Sequence, residues 1–199
     1  MKFIGITGGV GAGKSAILEY LSSKPKIRVM LADEIAHILM CPGTVCYDRI
    51  VDEFCDVDIL SGDGSFDKEK LASLIFSNDI NRERLNAIVH PAVKQYVIEQ
   101  YAIENNKKEL DYLVLEAALL IEEHYDEICD ELWYIYTSRE NRRIRLKATR
   151  GYSDAKIDSI FDSQLSDEEY ERACKISIDN NGSLKDTYEQ IDSALEFKE

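Results

Sequence analysis

Five short apolar runs, separated by longer stretches of mixed character, set the plan of the chain. Residues 2–7 (KFIGIT) form the first and lead into glycines; 27–31 (IRVML), 112–115 (YLVL), 132–136 (LWYIY) and 176–178 (ISI) are the others. Runs of this length, bounded by polar residues or glycine, predict strands. A helix is expected from about 14 to 21, and the stretch from 33 to about 100 reads as mostly helical. It is broken at Cys41-Pro42-Gly43 and at Ser61-Gly62-Asp63-Gly64. Pro91 suits the first position of a helix. Helices are predicted from Arg139 and from Ser153, and Asp179-Asn180-Asn181-Gly182 reads as a turn before a final helix. Strands alternating with helices predict an α/β fold, a parallel sheet of five strands covered on both faces.

Composition narrows the class. The chain has 199 residues, 45% hydrophobic and 31% charged, which suits one soluble α/β domain. It contains no repeat or low-complexity segment, and its apolar runs fall far short of the roughly 20 residues that span a bilayer. The opening MKFIGITGGV reads as a first strand rather than a signal peptide. Five cysteines, odd in number and without a C-x-x-C pair, point to reduced thiols in the cytoplasm, not to disulfides or zinc. A formal net charge of −14 disfavours nucleic acid and anionic membranes. The eleven tyrosines show no spacing that suggests stacking on single strands.

The chemistry starts at the first strand's end. Gly8, Gly13, Lys14 and Ser15 fit G-x-x-x-x-G-K-S, between a predicted strand and a predicted helix. Glycines there let backbone N–H groups wrap a β-phosphate, and the helix start directs its positive end at the phosphates. In such a loop the lysine bridges the β- and γ-phosphates and the serine coordinates Mg²⁺. No N-K-x-D stands in the chain for guanine, and the D-x-x-G at Asp179 comes too late for a γ-phosphate switch. Glu116, at the tip of strand 112–115, is either a carboxylate that reaches Mg²⁺ through water or a solvated strand end.

Arg139, Arg142, Arg143, Arg145, Lys147 and Arg150 crowd into twelve residues with a single acid, Glu140. They make either a solvated helix face or a phosphate-facing patch; in an acidic chain that binds triphosphate the second fits better. A small P-loop chain with a separate basic helix suggests a small-molecule kinase. Its acceptor hydroxyl needs a carboxylate at the carboxyl end of the strand beside the P-loop strand. Asp33, just after strand 27–31, is the candidate; its other reading is the N-cap of a helix over 34–40.

Taken in order, these residues resemble the dephospho-CoA kinase family, whose members catalyse the last step of coenzyme A synthesis. Gly5-Ile6-Thr7-Gly8-Gly9-Val10-Gly11-Ala12-Gly13-Lys14-Ser15 is similar to the family's glycine loop. Leu31-Ala32-Asp33-Glu34-Ile35-Ala36-His37 follows D-A-D-x-I-A-R, and Pro42-Gly43-Thr44 its P-G-T turn. Leu85-Asn86-Ala87-Ile88-Val89-His90-Pro91 matches L-N-x-I-x-H-P, Glu116 to Glu122 matches D-I-P-L-L-F-E, and Gln164 and Ile178-Asp179-Asn180-Asn181-Gly182 come late, as in the family. The chain departs from the pattern at Leu31, His37, Ala118, Thr149 and Cys174-Lys175.

The resemblance implies a three-layer P-loop kinase fold in one domain. Its core would be about 1–37, 106–138 and 172–199, with a helical substrate-binding region over 38–105 and a helical lid over 139–171. The lid would close on ATP and exclude water. ATP, with Mg²⁺, would phosphorylate the 3′-hydroxyl of dephospho-CoA. Asp33, Lys14 and Arg145 are then the catalytic candidates, with Asp33 the general base. Gly9, Val10, Gly11, Ala12, Gly13, Lys14, Ser15, Ala16, Arg142 and Arg145 would bind ATP; Thr7, Asp33, His37, His90 and Leu119 would bind substrate; Ser15 and, through water, Glu116 would hold the metal. The expected partners are these small molecules, with no nucleic acid or membrane, for a monomer or small homo-oligomer. Two other readings use the same scaffold: a kinase of another small hydroxyl compound such as a nucleoside, and a regulator that binds nucleotide without turnover.

Overall fold

The computed structural model describes residues 1–76 and 78–195; the last four residues of the expected core segment 172–199 lie outside them. Five strands, β1 (Lys2–Thr7), β2 (Ile27–Leu31), β3 (Tyr112–Glu116), β4 (Glu131–Tyr136) and β5 (Ile176–Asp179), form one sheet in the order β2-β3-β1-β4-β5. β1 pairs in parallel with β3 and β4, and β4 with β5. The three central strands are buried along nearly their whole length, whereas the edge strand β5 alternates. That is why the central strands read as continuous apolar runs. Trp133, on β4, is fully buried, as its apolar setting suggests.

The chain divides into two compact units, Met1–Met30 with Lys107–Glu199, and Leu31–Asn106. The first seam thus falls before Asp33 and His37, and the segment 139–171 belongs to the unit that carries the sheet. In that unit α1 (Lys14–Ser22) follows the glycine loop, and α6 (Arg139–Arg150), α7 (Asp154–Asp162) and α8 (Asp167–Ala173) run between β4 and β5; α9 (Leu184–Ala194) packs on β5. Four of these helices begin the same way. Ser138, Ser153, Ser166 and Ser183 each accept a hydrogen bond from a backbone N–H three residues on, with reciprocal capping boxes at Ser166/Glu169 and Ser183/Asp186. Gly151, at φ 62°, closes α6 in the left-handed conformation that glycine adopts without penalty.

The second unit is helical: α2 (Ala32–Leu39), α3 (Val45–Glu53), α4 (Lys68–Phe76) and α5 (Asp79–Lys107). Thr44 caps α3, and the Asp67 carboxylate accepts from Glu69 N at 3.0 Å and Lys70 N at 3.1 Å to start α4. The turn at 61–64 folds back on itself, Ser61 N donating to Ser65 O at 2.8 Å.

Three local expectations are corrected. Pro91 lies inside α5 rather than at a helix start. Ile88, Val89, Val93 and Val97 are buried on both sides of it, so an apolar face carries the helix through a residue that lacks an N–H. Asp33 is the second residue of α2, not its N-cap, which is Leu31. And β2 is not the neighbour of β1, because β3 inserts between them.

Candidate active site

The glycine loop joins β1 to α1, as its pattern requires. Ala12 N closes it on Gly9 O at 3.0 Å. The Lys14 ammonium donates to Gly8 O at 2.7 Å and lies 3.5 Å from a Glu116 carboxylate oxygen. Glu116 reaches it because β3 pairs with β1 in the register Ile6↔Glu116. The acid at the strand tip is therefore paired with the loop lysine, its side chain only 17% exposed. Ser15 is exposed at the start of α1, where backbone N–H groups lack helical acceptors. Thr7 ends β1 fully buried, and its hydroxyl is the buried side-chain polar atom without a partner among the described residues. Such an atom costs about 1–3 kcal/mol.

Helix α6 lies against the loop, and its basic residues divide. Arg139, Arg143 and Lys147 face an acidic ladder on α7. Arg143 pairs with Asp154 at 2.8 Å and with Asp158, Lys147 pairs with Asp154 at 2.7 Å, and Arg139 stands 3.9 Å from Asp162. Arg150 instead lies 5.8 Å from the Tyr152 ring centroid. Three of the six thus face α7, and the fourth, Arg150, is exposed beside Tyr152.

Arg142 and Arg145 turn the other way. Arg142 is buried, donates from Nε to Val10 O at 2.9 Å and from Nη2 to Gln164 Oε1, and lies 4.4 Å over the Phe161 ring. The same Gln164 oxygen accepts from Val10 N at 3.2 Å, so both peptide groups of Val10 are held. Burial lowers the Arg142 pKa, but a guanidinium stays charged at neutral pH. Its approach explains Gly9: a Cβ there would lie 2.2 Å from Arg142 Nη2. Val10 also packs against the apolar cluster of Leu146, Ile157 and Phe161, and the Tyr134 hydroxyl donates to Asp167 at 2.7 Å, tying α8 to β4.

Arg145 donates to Ala12 O at 3.1 Å and to Asn180 O at 2.7 Å. Asn180 and Thr137 complete this group, and neither carries a role in the sequence reading. The signal was present for one of them, since Asn180 belongs to the late I-D-N-N-G segment; Thr137 had none.

Leu119 stands in the turn after β3, 41% exposed. In the other unit, Asp33 and His37 lie one turn apart on α2, both exposed, and His90 is half-buried on α5. Asp33 sits in the first turn of its helix, where a carboxylate is favoured.

The donor set suits a magnesium nucleotide. Among the described residues no group of three or more His, Cys, Asp or Glu forms a metal cage. Mg²⁺ is commonly held by one or two protein oxygens together with phosphates and water, and a serine hydroxyl and a carboxylate flank Lys14 here. The glycine loop, its lysine and the five-stranded sheet define a P-loop kinase.

Comparison with known proteins narrows the class. The profile of the dephospho-CoA kinase family matches residues 2–186, and the chain belongs to that family. Dephospho-CoA kinase of Symbiobacterium thermophilum is 37% identical over 198 residues, covering 98% of this chain and 80% of that protein. A crystal structure from Thermus thermophilus superposes with a TM-score of 0.75 at 26% identity, covering 98% of this chain and 96% of that one. Dephospho-CoA kinase from Campylobacter jejuni shares the fold, with a TM-score of 0.73 at 22% identity over 98% and 96% of the two chains. The chain is thus a transferase of the kinase type. No helix among the described residues is long and apolar enough to cross a membrane.

Proposed function

We propose that this chain transfers the γ-phosphoryl group of ATP to the 3′-hydroxyl of dephospho-CoA, giving coenzyme A and ADP. The observation that carries the reading is Lys14, set between Gly8 O and Glu116 in a glycine loop whose chain matches the family from 2 to 186. The acceptor oxygen bonds to the γ-phosphorus, the bond to the β–γ bridging oxygen breaks, and the hydroxyl proton passes to Asp33. Backbone N–H groups of residues 9–16 bind the β-phosphate, and Lys14 neutralises charge on the transferred group. Arg145 exchanges carbonyl partners for phosphate oxygens, while Arg142 shapes the nucleotide site from behind Val10. Ser15 would hold Mg²⁺ directly and Glu116 through water. When bound, the ion supplies charge neutralisation at the phosphates.

Thr7, Asp33, His37, His90 and Leu119 are assigned to the acceptor substrate, the helices over 38–105 to its binding region, and the segment 139–171 to a closing lid. The same reading makes the protein cytoplasmic, a monomer or small homo-oligomer, working on small molecules rather than nucleic acid or membrane.

The test is ADP release by the purified protein with Mg²⁺ and ATP, with and without dephospho-CoA, and the mass of the product. A dephospho-CoA-dependent signal with a product one phosphate heavier supports the reading; ATP binding without turnover sinks it. Asp33→Asn should keep ATP binding and lose about 10²–10⁴-fold in turnover. Near-normal turnover in that variant removes Asp33 as the base.

A further inference from the structure

One backbone oxygen in the loop is held by three side chains. Ala12 O accepts from Asn180 Nδ2 at 2.7 Å, Thr137 Oγ1 at 3.0 Å and Arg145 Nη1 at 3.1 Å. A carbonyl offers two lone pairs, so this acceptor is saturated.

The next residue explains why such a hold matters. Gly13 has φ +89°, a conformation that other residues rarely adopt. Glycine permits it but does not enforce it, because it populates both signs of φ about equally. Nothing within the Ala12–Gly13 link fixes which way that peptide faces; the fixing comes from outside. The peptide is trans and planar, so its N–H points opposite to its carbonyl. With the Ala12 carbonyl drawn toward Asn180, Thr137 and Arg145, the Gly13 N–H points away from them.

Asn180 is built for this task. It is almost fully buried, and its backbone N–H is bound to Tyr136 O at 2.8 Å. Its side-chain oxygen accepts from Thr187 Oγ1 at 2.9 Å, which sets the amide so that the NH₂ faces the loop. Thr187 is itself fully buried in α9. A Cβ on Gly13 would lie 2.5 Å from Asn180 Nδ2, so the two residues are in direct apposition.

We propose that Asn180 is a positioning residue for phosphoryl transfer: by holding the Ala12 carbonyl it aims the Gly13 N–H at the β-phosphate. The inference rests on the nucleotide-site reading above. It also separates Asn180 from Arg145, because an arginine that leaves its carbonyl partners for phosphate needs another donor to keep the peptide from turning over. Asn180 and Thr137 are those donors.

The test is Asn180→Ala in the full chain, labelled with nitrogen-15 glycine and titrated with Mg·ADP. In the natural protein the Gly13 amide resonance should move strongly downfield as ADP binds. In Asn180→Ala that shift should largely vanish, ADP affinity and the KM for ATP should worsen about tenfold or more, and the KM for dephospho-CoA should stay within about twofold. If Asn180→Ala does not fold, Thr187→Val, which frees the amide to rotate, should show the same pattern at smaller size. A natural Gly13 shift and natural ADP affinity in the folded variant would overturn the inference. So would a parallel rise in both KM values with a lower melting temperature, which marks general loosening. Natural protein that binds no ADP would overturn the nucleotide-site reading and the inference with it.

Discussion

The two ends of the sheet carry side-chain clusters of opposite design. At the carboxyl ends of the strands, donors from Thr137, Arg145 and Asn180 converge on a neutral backbone carbonyl. At the amino ends a buried carboxylate takes the centre. Glu131, its side chain wholly buried, accepts from Lys2 at 2.8 Å, Lys175 at 2.8 Å and Trp133 Nε1 at 2.9 Å, joining the starts of β1, β4 and β5. The first cluster orients a loop and leaves its chemistry open to a ligand. The second satisfies a buried charge and ties strands together. The first is expected to govern activity and the second stability, and this division can be broken experimentally.

The largest effect should come at the loop. Lys14→Met is expected to lower turnover about 10²–10³-fold, with the melting temperature held within about 3 °C. A large loss of stability there would erase the contrast. At the other end, Lys2→Met with Lys175→Met leaves the buried Glu131 carboxylate with the Trp133 indole N–H but without either ammonium, at a cost of about 3 kcal/mol. That corresponds to a fall of roughly 6–12 °C in the melting temperature of a chain this size, with the KM for ATP unchanged.

A smaller effect is expected with pH. Burial alone would raise the Glu131 carboxyl; the hydrogen bonds from Lys175, Lys2 and Trp133 outweigh it and hold the group below the ordinary glutamate value. A depressed folded value means stability that is present above the unfolded value, near 4.5, and lost as pH falls through the folded one. Melting curves from pH 6 downward should therefore steepen below about pH 4.5, and Glu131→Gln should flatten that part of the profile. The smallest effect belongs to neither cluster. Arg143→Ala removes exposed pairs between α6 and α7 and should lower the melting temperature by only about 1–2 °C, less at high salt.

Much of this was legible before the structure, for physical reasons. Strands buried on both faces read as apolar runs, and the glycine loop is a local pattern, so both stood out. Strand order is not a local property. Nothing in IRVML says that β3 will insert between β2 and β1, so Asp33 was given the wrong neighbouring strand. The basic run at 139–150 was ambiguous for a similar reason. Arg142 and Arg143 are adjacent in sequence, yet one faces Val10 and the other faces Asp154 and Asp158 on α7. Lys175, read only as a departure from the family pattern, turned out to be one of three donors to a carboxylate 44 residues earlier. Asn180 read as a turn residue: the I-D-N-N-G segment marked its position, but its partner, a loop carbonyl 168 positions away, cannot be read from its sequence neighbours.

The closeness of Gly9 and Arg142 has a genetic consequence. Alanine at position 9 would place its methyl carbon 2.2 Å from the guanidinium and force it off both Val10 and Gln164. The two positions are therefore not free to vary independently. A lineage that gains a side chain at 9 must move or shorten the one at 142, and a selection for suppressors of Gly9→Ala should return changes at 142 among its first.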